Sequence, residues 1–220
     1  MYFKKLISYV ALATFAIFLV PTEAVSAENQ YMALRGSYGD IPSVDRVAGI
    51  YNSSNNYGSA YGIGLAYGAK MNSWLRLEGE FSYMQADIDS ITNSYGVNVK
   101  ASGKETFYSL MVNAIADWEN DTAFTPYIGA GLGGVHVNHN VTFTPTTGAN
   151  MLSADSNEVN FGWQVMLGSA YEFNETWSLD FMYRYVGIQS RSHSQDNGKP
   201  DIDMDPTNIH QAVLGMRYNF

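Results

Sequence analysis

The chain has 220 residues, a net charge of −9 and no cysteine, so a disulfide scaffold, a thiolate metal centre and thiol catalysis are excluded. Charged residues make up only 15%, while Tyr (16), Phe (11) and Gly (20) are plentiful. The acidic balance shows no basic patch that could replace counterions on phosphates, which excludes nucleic acid as a partner.

The first segment carries Lys4 and Lys5, an apolar run from Leu6 to Val20, then Pro21 and the small residues Val25-Ser-Ala27. That order predicts a secretory signal peptide over residues 1–27 and a mature domain over 28–220. No later stretch approaches the roughly 18 consecutive apolar residues of a spanning helix. If the mature domain crosses a bilayer, it must do so as a closed β-barrel.

From Gln30 onward two-sided strands alternate with polar connections, and period-two patterning is the signal. The first strand is expected at 30–38, with Met32, Leu34 and Tyr38 opposite Ala33, Arg35 and Ser37. A polar connection through Asn52-Ser-Ser-Asn-Asn56 leads to the second, at 59–69. There Tyr61, Ile63, Leu65 and Tyr67 oppose Gly62, Gly64, Ala66 and Gly68. A tight turn precedes the third, 74–87, where Leu75, Leu77, Phe81 and Tyr83 oppose Arg76, Glu78, Glu80 and Ser82. A long polar stretch follows. The fourth, 105–118, sets Tyr108, Leu110, Val112, Ala114, Ala116 and Trp118 against Ser109, Met111, Asn113, Ile115 and Asp117.

After a short turn the fifth strand, 125–138, puts Ile128, Ala130 and Leu132 opposite Gly129, Gly131 and Gly133. A polar segment with Pro145 and Gly148 leads to the sixth, 158–173. Its apolar face carries Phe161, Trp163, Val165, Leu167, Tyr171 and Phe173, against Gln164, Met166, Gly168 and Glu172. A two-residue turn joins the seventh, 176–188, where Trp177, Leu179, Phe181, Tyr183 and Tyr185 oppose Ser178, Asp180, Met182 and Arg184. After 189–206 the eighth, 209–220, sets Ala212, Leu214, Met216, Tyr218 and Phe220 against Gln211, Gly215, Arg217 and Asn219, with Val213 as an apolar intruder.

Short and long connections alternate, so the short turns are expected to share one rim with both ends of the barrel, and the four long loops the other. The expected fold is all-β, an eight-stranded antiparallel up-and-down transmembrane β-barrel. The polar face gathers Arg35, Arg76, Glu78, Glu80, Asp117, Glu172, Asp180, Arg184 and Arg217 with many small residues. An eight-stranded barrel is just wide enough for side chains, so this face is expected inside and the bulky aromatic face toward lipid. Tyr38, Trp118, Phe173, Trp177 and Phe220 lie where interfacial girdles form. Unpaired buried charge is expensive, so the interior is expected to be a salt-bridged polar plug.

Tyr218-Asn-Phe220 with Gly215, Tyr183-Arg-Tyr185, Asn113 with Asp117, and Pro126-Tyr-Ile-Gly-Ala-Gly-Leu-Gly133 together resemble the small eight-stranded outer-membrane barrels. These include the OmpA-type transmembrane domain, OmpX and related surface antigens of alphaproteobacteria. The resemblance covers residues 30–220. It implies localisation in the bacterial outer membrane, contact with its lipid and lipopolysaccharide, and insertion by the barrel-insertion machinery reading Gly215, Tyr218 and Phe220. Val213 departs from the polar residue often found in that signal. No peptidoglycan-binding segment follows the barrel in this sequence, so periplasmic tethering is not expected. The implied role is structural or surface-interacting, adhesin- or antigen-like, with a host or surface ligand met through the loops. A small porin-like channel is the alternative, and a lipid A-modifying enzyme a further one.

No catalytic, cofactor or metal site is expected. His136 and His139 are too weakly spaced for a metal site, and no His-x-Ser pair occurs within a strand for acyl chemistry. The stretch Asp201-Ile-Asp-Met-Asp205 has Pro206 and Ala212 where a calcium loop needs Gly and Glu, which leaves only weak divalent binding by an acidic loop open. Residues 129–134 lack the Lys-Ser/Thr ending of a phosphate loop.

Overall fold

The computed structural model describes residues 29–48, 51–93, 98–143, 153–189, 191–193 and 202–220; the expected signal peptide lies outside them. In chain order the strands are β1 (Gln30–Asp40), β2 (Val44–Ala48), β3 (Tyr51–Lys70), β4 (Leu75–Asn93), β5 (Asn98–Asp117) and β6 (Phe124–Phe143). They are followed by β7 (Ser153–Glu172), β8 (Trp177–Ile188), β9 (Arg191–His193), β10 (Ile202–Met204) and β11 (Thr207–Asn219). Eight of them close a ring, β1-β3-β4-β5-β6-β7-β8-β11 and back to β1, with every pairing antiparallel. The closing seam runs from Tyr31 opposite Asn219 to Asp40 opposite His210.

The three short turns lie on one rim, and each is set by an asparagine. Asn72 Oδ1 accepts from the backbone N–H of Trp74 and Leu75 at 3.0 and 2.8 Å. Asn174 Oδ1 accepts from those of Thr176 and Trp177, both at 2.9 Å. Asn120 Oδ1 accepts from that of Thr122 at 2.9 Å. An Asx side chain replaces a backbone acceptor and so fixes a tight reversal.

At the long-loop rim the ladders run further than the patterning predicts. Asn52–Asn56, read as connection, belongs to β3, and β4 to β7 each extend several residues past their expected ends. There β2 pairs with β3 and β10, and β10 pairs with β9, continuing the wall above β1, β11 and β8. Polar sequence does not stop a strand whose neighbour offers backbone donors and acceptors.

The apolar face is outside. Ile128, Leu132 and Leu167 are each about 60% exposed to the medium around the barrel. Inside, two apolar clusters form. Ile41, just after β1, and Val44, at the start of β2, join Met84, Phe107, Met111, Val135, Val137, Val186, Ile188 and Ile209 in the long-loop half. Ile115, Tyr127, Met166, Ala170, Met182 and Val213, from β5 to β8 and β11, form the second, which gives the intruder Val213 its partners. The described interior therefore carries apolar clusters in addition to the salt-bridged polar residues expected there.

Candidate functional site

The candidate site is a buried charge network, built by residues of inward parity from β1, β4, β5, β7, β8 and β11. Arg35 forks onto Glu78 through two hydrogen bonds of 2.7 Å and reaches Glu80 at 2.6 Å. Arg184, from the far side of the lumen, donates to both oxygens of Glu80 at 2.6 and 2.9 Å. Asn113 donates to Glu78 at 3.0 Å and accepts from Gln164 Nε2 at 2.7 Å. Tyr31 donates to Glu78 at 2.9 Å. Nearer the short-turn rim, Arg76 grips Asp117 through Nε and Nη2 at 2.6 and 2.7 Å, and Arg217 meets Asp180 at 3.1 Å. Bidentate, charge-assisted pairs of this kind are what makes burying four guanidiniums tolerable.

Of the nine residues expected in the lumen network, the structure brings together Arg35, Arg76, Glu78, Glu80, Asp117, Asp180, Arg184 and Arg217. Glu172 is the correction. It shares the inward parity of β7 but is the last residue of the strand and is exposed. Its backbone N–H donates to the Ala123 carbonyl at the turn, 3.0 Å away. Parity gives direction and not depth, and at the rim both faces meet water.

Aromatic residues also enter the lumen, against expectation. Tyr31 and Tyr127 are 1% and 3% exposed. They fit because glycine stands under each ring: a Cβ on Gly68 would overlap Tyr31, and one on Gly168 would lie 2.6 Å from the Tyr127 ring. The Arg76 guanidinium lies 5.4 and 5.1 Å from the two ring centroids, within cation–π range. Patterning missed Tyr31 and Glu105, although the parity shared with Arg35 and Phe107 marks both, and it placed Gln164 on the inward face without assigning it to the network. Glu105 is fully buried near the long-loop end and accepts from Tyr57 Oη at 2.5 Å.

Gly215 faces inward, where an added Cβ would sit 3.1 Å from Arg35 Cγ. Tyr218 and Phe220 face outward at the short-turn rim, and Tyr218 packs edge-on against Trp177 at 5.0 Å and Phe220 at 5.3 Å. Tyr38, Trp118, Phe173 and Trp177 are likewise exposed and outward. His136 lies on the outer surface 6.2 Å from the Tyr108 ring, and His210 Nδ1 pairs with Tyr183 Oη at 2.7 Å. The side chains of His139, His193 and the acids at 201 and 203 lie outside the described residues. Among the described residues, no group of three metal-ligating side chains converges.

A family model for the outer membrane protein beta-barrel domain matches residues 10–220. The chain is 34% identical over 141 residues to the outer membrane protein PagN of Salmonella typhimurium, covering 61% of this chain and 57% of that protein. It is 28% identical over 128 residues to a candidate adhesin of Rickettsia massiliae, covering 56% of each. The solved structure of the outer membrane protease OmpT of Escherichia coli matches with a TM-score of 0.59 at 8% identity, covering 91% of this chain and 99% of that one. At that identity the likeness is one of fold alone.

Proposed function

The chain belongs to the outer membrane protein beta-barrel domain family, and on that premise we propose that it is a sealed outer-membrane anchor that presents its long-loop rim for surface contact. The observation that carries the proposal is the lumen. The space left beside the charge network is about 10 Å3, bordered by Arg35, Ser37, Glu80, Arg184 and Gln211 among others. That is room for about one water molecule and not for a column of them. On this reading nothing passes through the centre, and the barrel acts at its surfaces. The apolar band contacts outer-membrane lipid and lipopolysaccharide, and the four long connections meet the exterior. The similarity to a candidate adhesin supports that direction.

In this reading residues 1–27 are removed on export, leaving 28–220 as the barrel. Gly215, Tyr218 and Phe220 serve the insertion machinery, and the lumen residues serve stability. No catalysis is assigned: Glu78, Glu80 and Asp180, the carboxylates a general acid–base pair would use, are each held by arginine.

Two measurements test the proposal. Reconstituted in planar bilayers, the protein is expected to give no steady single-channel steps; a reproducible open state would replace the anchor with the small-channel reading. Expressed on a non-adherent Gram-negative host, it is expected to raise attachment to cultured cells. Unchanged attachment alongside a heat-modifiable outer-membrane band would remove the contact role and leave a purely structural one.

A further inference from the structure

The space beside the charge network is chemically specific. Three atoms of the residues around it are buried without a hydrogen-bond partner: Arg35 Nε, Arg184 Nε and Gln211 Oε1. Their side chains belong to residues only 2%, 4% and 6% exposed. The other arm of Gln211 is committed, since Nε2 donates to Met84 Sδ at 2.9 Å, so Oε1 is the end left over. An unpaired buried donor or acceptor is costly, and here two donors and one acceptor belong to residues that border one small gap.

We propose that this gap binds a single ordered water molecule, which accepts from the Nε–H of Arg35 and of Arg184 and donates to Gln211 Oε1. Its second hydrogen goes to a hydroxyl of the same lining, Ser37 or Ser82. The donor set decides the ligand. An anion would satisfy the two guanidiniums but face the lone pairs of Gln211 Oε1. A cation would face two arginines. The surrounding charges are balanced, Arg35 and Arg184 against Glu78 and Glu80, so no net field recruits an ion. Water alone offers two lone pairs and two hydrogens, and the gap has the volume of about one water. The gap is lined from β1, β3, β4, β8 and β11, and the three unpaired atoms belong to β1, β8 and β11, where the last strand meets the first. The water thus staples the closing seam from within, a role that does not depend on the surface-contact reading.

The test is a crystal structure of the full chain, folded in detergent and crystallised with bromide as the only halide. The expected result is one discrete density peak within hydrogen-bond reach of all three atoms, without bromide anomalous signal. A bromide peak at that position overturns the proposal in favour of an anion, and an empty gap overturns it outright. In Gln211→Met the peak is expected to disappear while the Glu80–Arg184 pair stays; a peak unmoved in that variant would overturn the assignment of Gln211. If the variant does not fold, the density of the unaltered protein still decides.

Discussion

Replacing Glu80 by glutamine separates charge from shape at the centre of the lumen. Glu80 accepts from Arg35 at 2.6 Å and from Arg184 at 2.6 and 2.9 Å. Arg35 keeps its fork on Glu78, whereas Arg184 has no second carboxylate partner among the described residues. At an effective dielectric of about 20, unit charges at the 2.6 Å separation attract by roughly 6 kcal/mol before desolvation is counted. Removing one partner of a buried pair costs about 3–5 kcal/mol in practice, and a glutamine that still accepts one hydrogen bond belongs at the lower end. We expect a loss of about 3 kcal/mol, hence a drop of about 1.5 M in the urea midpoint for a slope near 2 kcal/mol/M. The assay is urea unfolding of the folded barrel, read as loss of the compact band on unboiled gels. Adding Arg184→Met removes the stranded cation, and the double variant is expected to regain most of the loss. A single variant within about 0.5 kcal/mol of the parent, or a double variant as weak as the sum of the two singles, refutes the reasoning.

Two further outcomes follow from the same geometry and are read by the same assay. Leu132→Arg places a charge on the exposed outer band and should cost about 2–4 kcal/mol in a bilayer if the residue lies near its midplane. Gly133→Ala and Gly187→Ala are the same chemical change in different surroundings. At Gly133 the new methyl overlaps the Leu110 backbone oxygen, so the wall must move, at about 1–3 kcal/mol. At Gly187 its nearest neighbour is the Trp163 indole, a side chain packed on Tyr185 at 5.4 Å that must shift rather than the wall itself, so the cost should be smaller than at Gly133.

The sequence by itself determined which residues face lipid and which face inward, because side-chain alternation is a local rule and a one-residue slip would exchange the faces. It also determined the number of wall strands and the position of the short turns, where Asn72, Asn120 and Asn174 act within a few residues of themselves. Depth and partnership were left to the tertiary structure. Glu172 and Glu80 share inward parity, yet one sits at the rim in water and the other at the centre of the network. Tyr31 and Tyr127 enter a narrow lumen only because Gly68 and Gly168 stand opposite them in the closed wall. The accessory strands β2 and β9 carry no apolar alternation, β10 has only three residues to show one, and all three form where neighbouring backbone is there to pair with. The Arg184–Glu80 pair joins residues 104 positions apart. No local rule reaches that far: the pairing exists because closure of the ring brings opposite walls within side-chain reach, and burial then forces every charge there to find its complement.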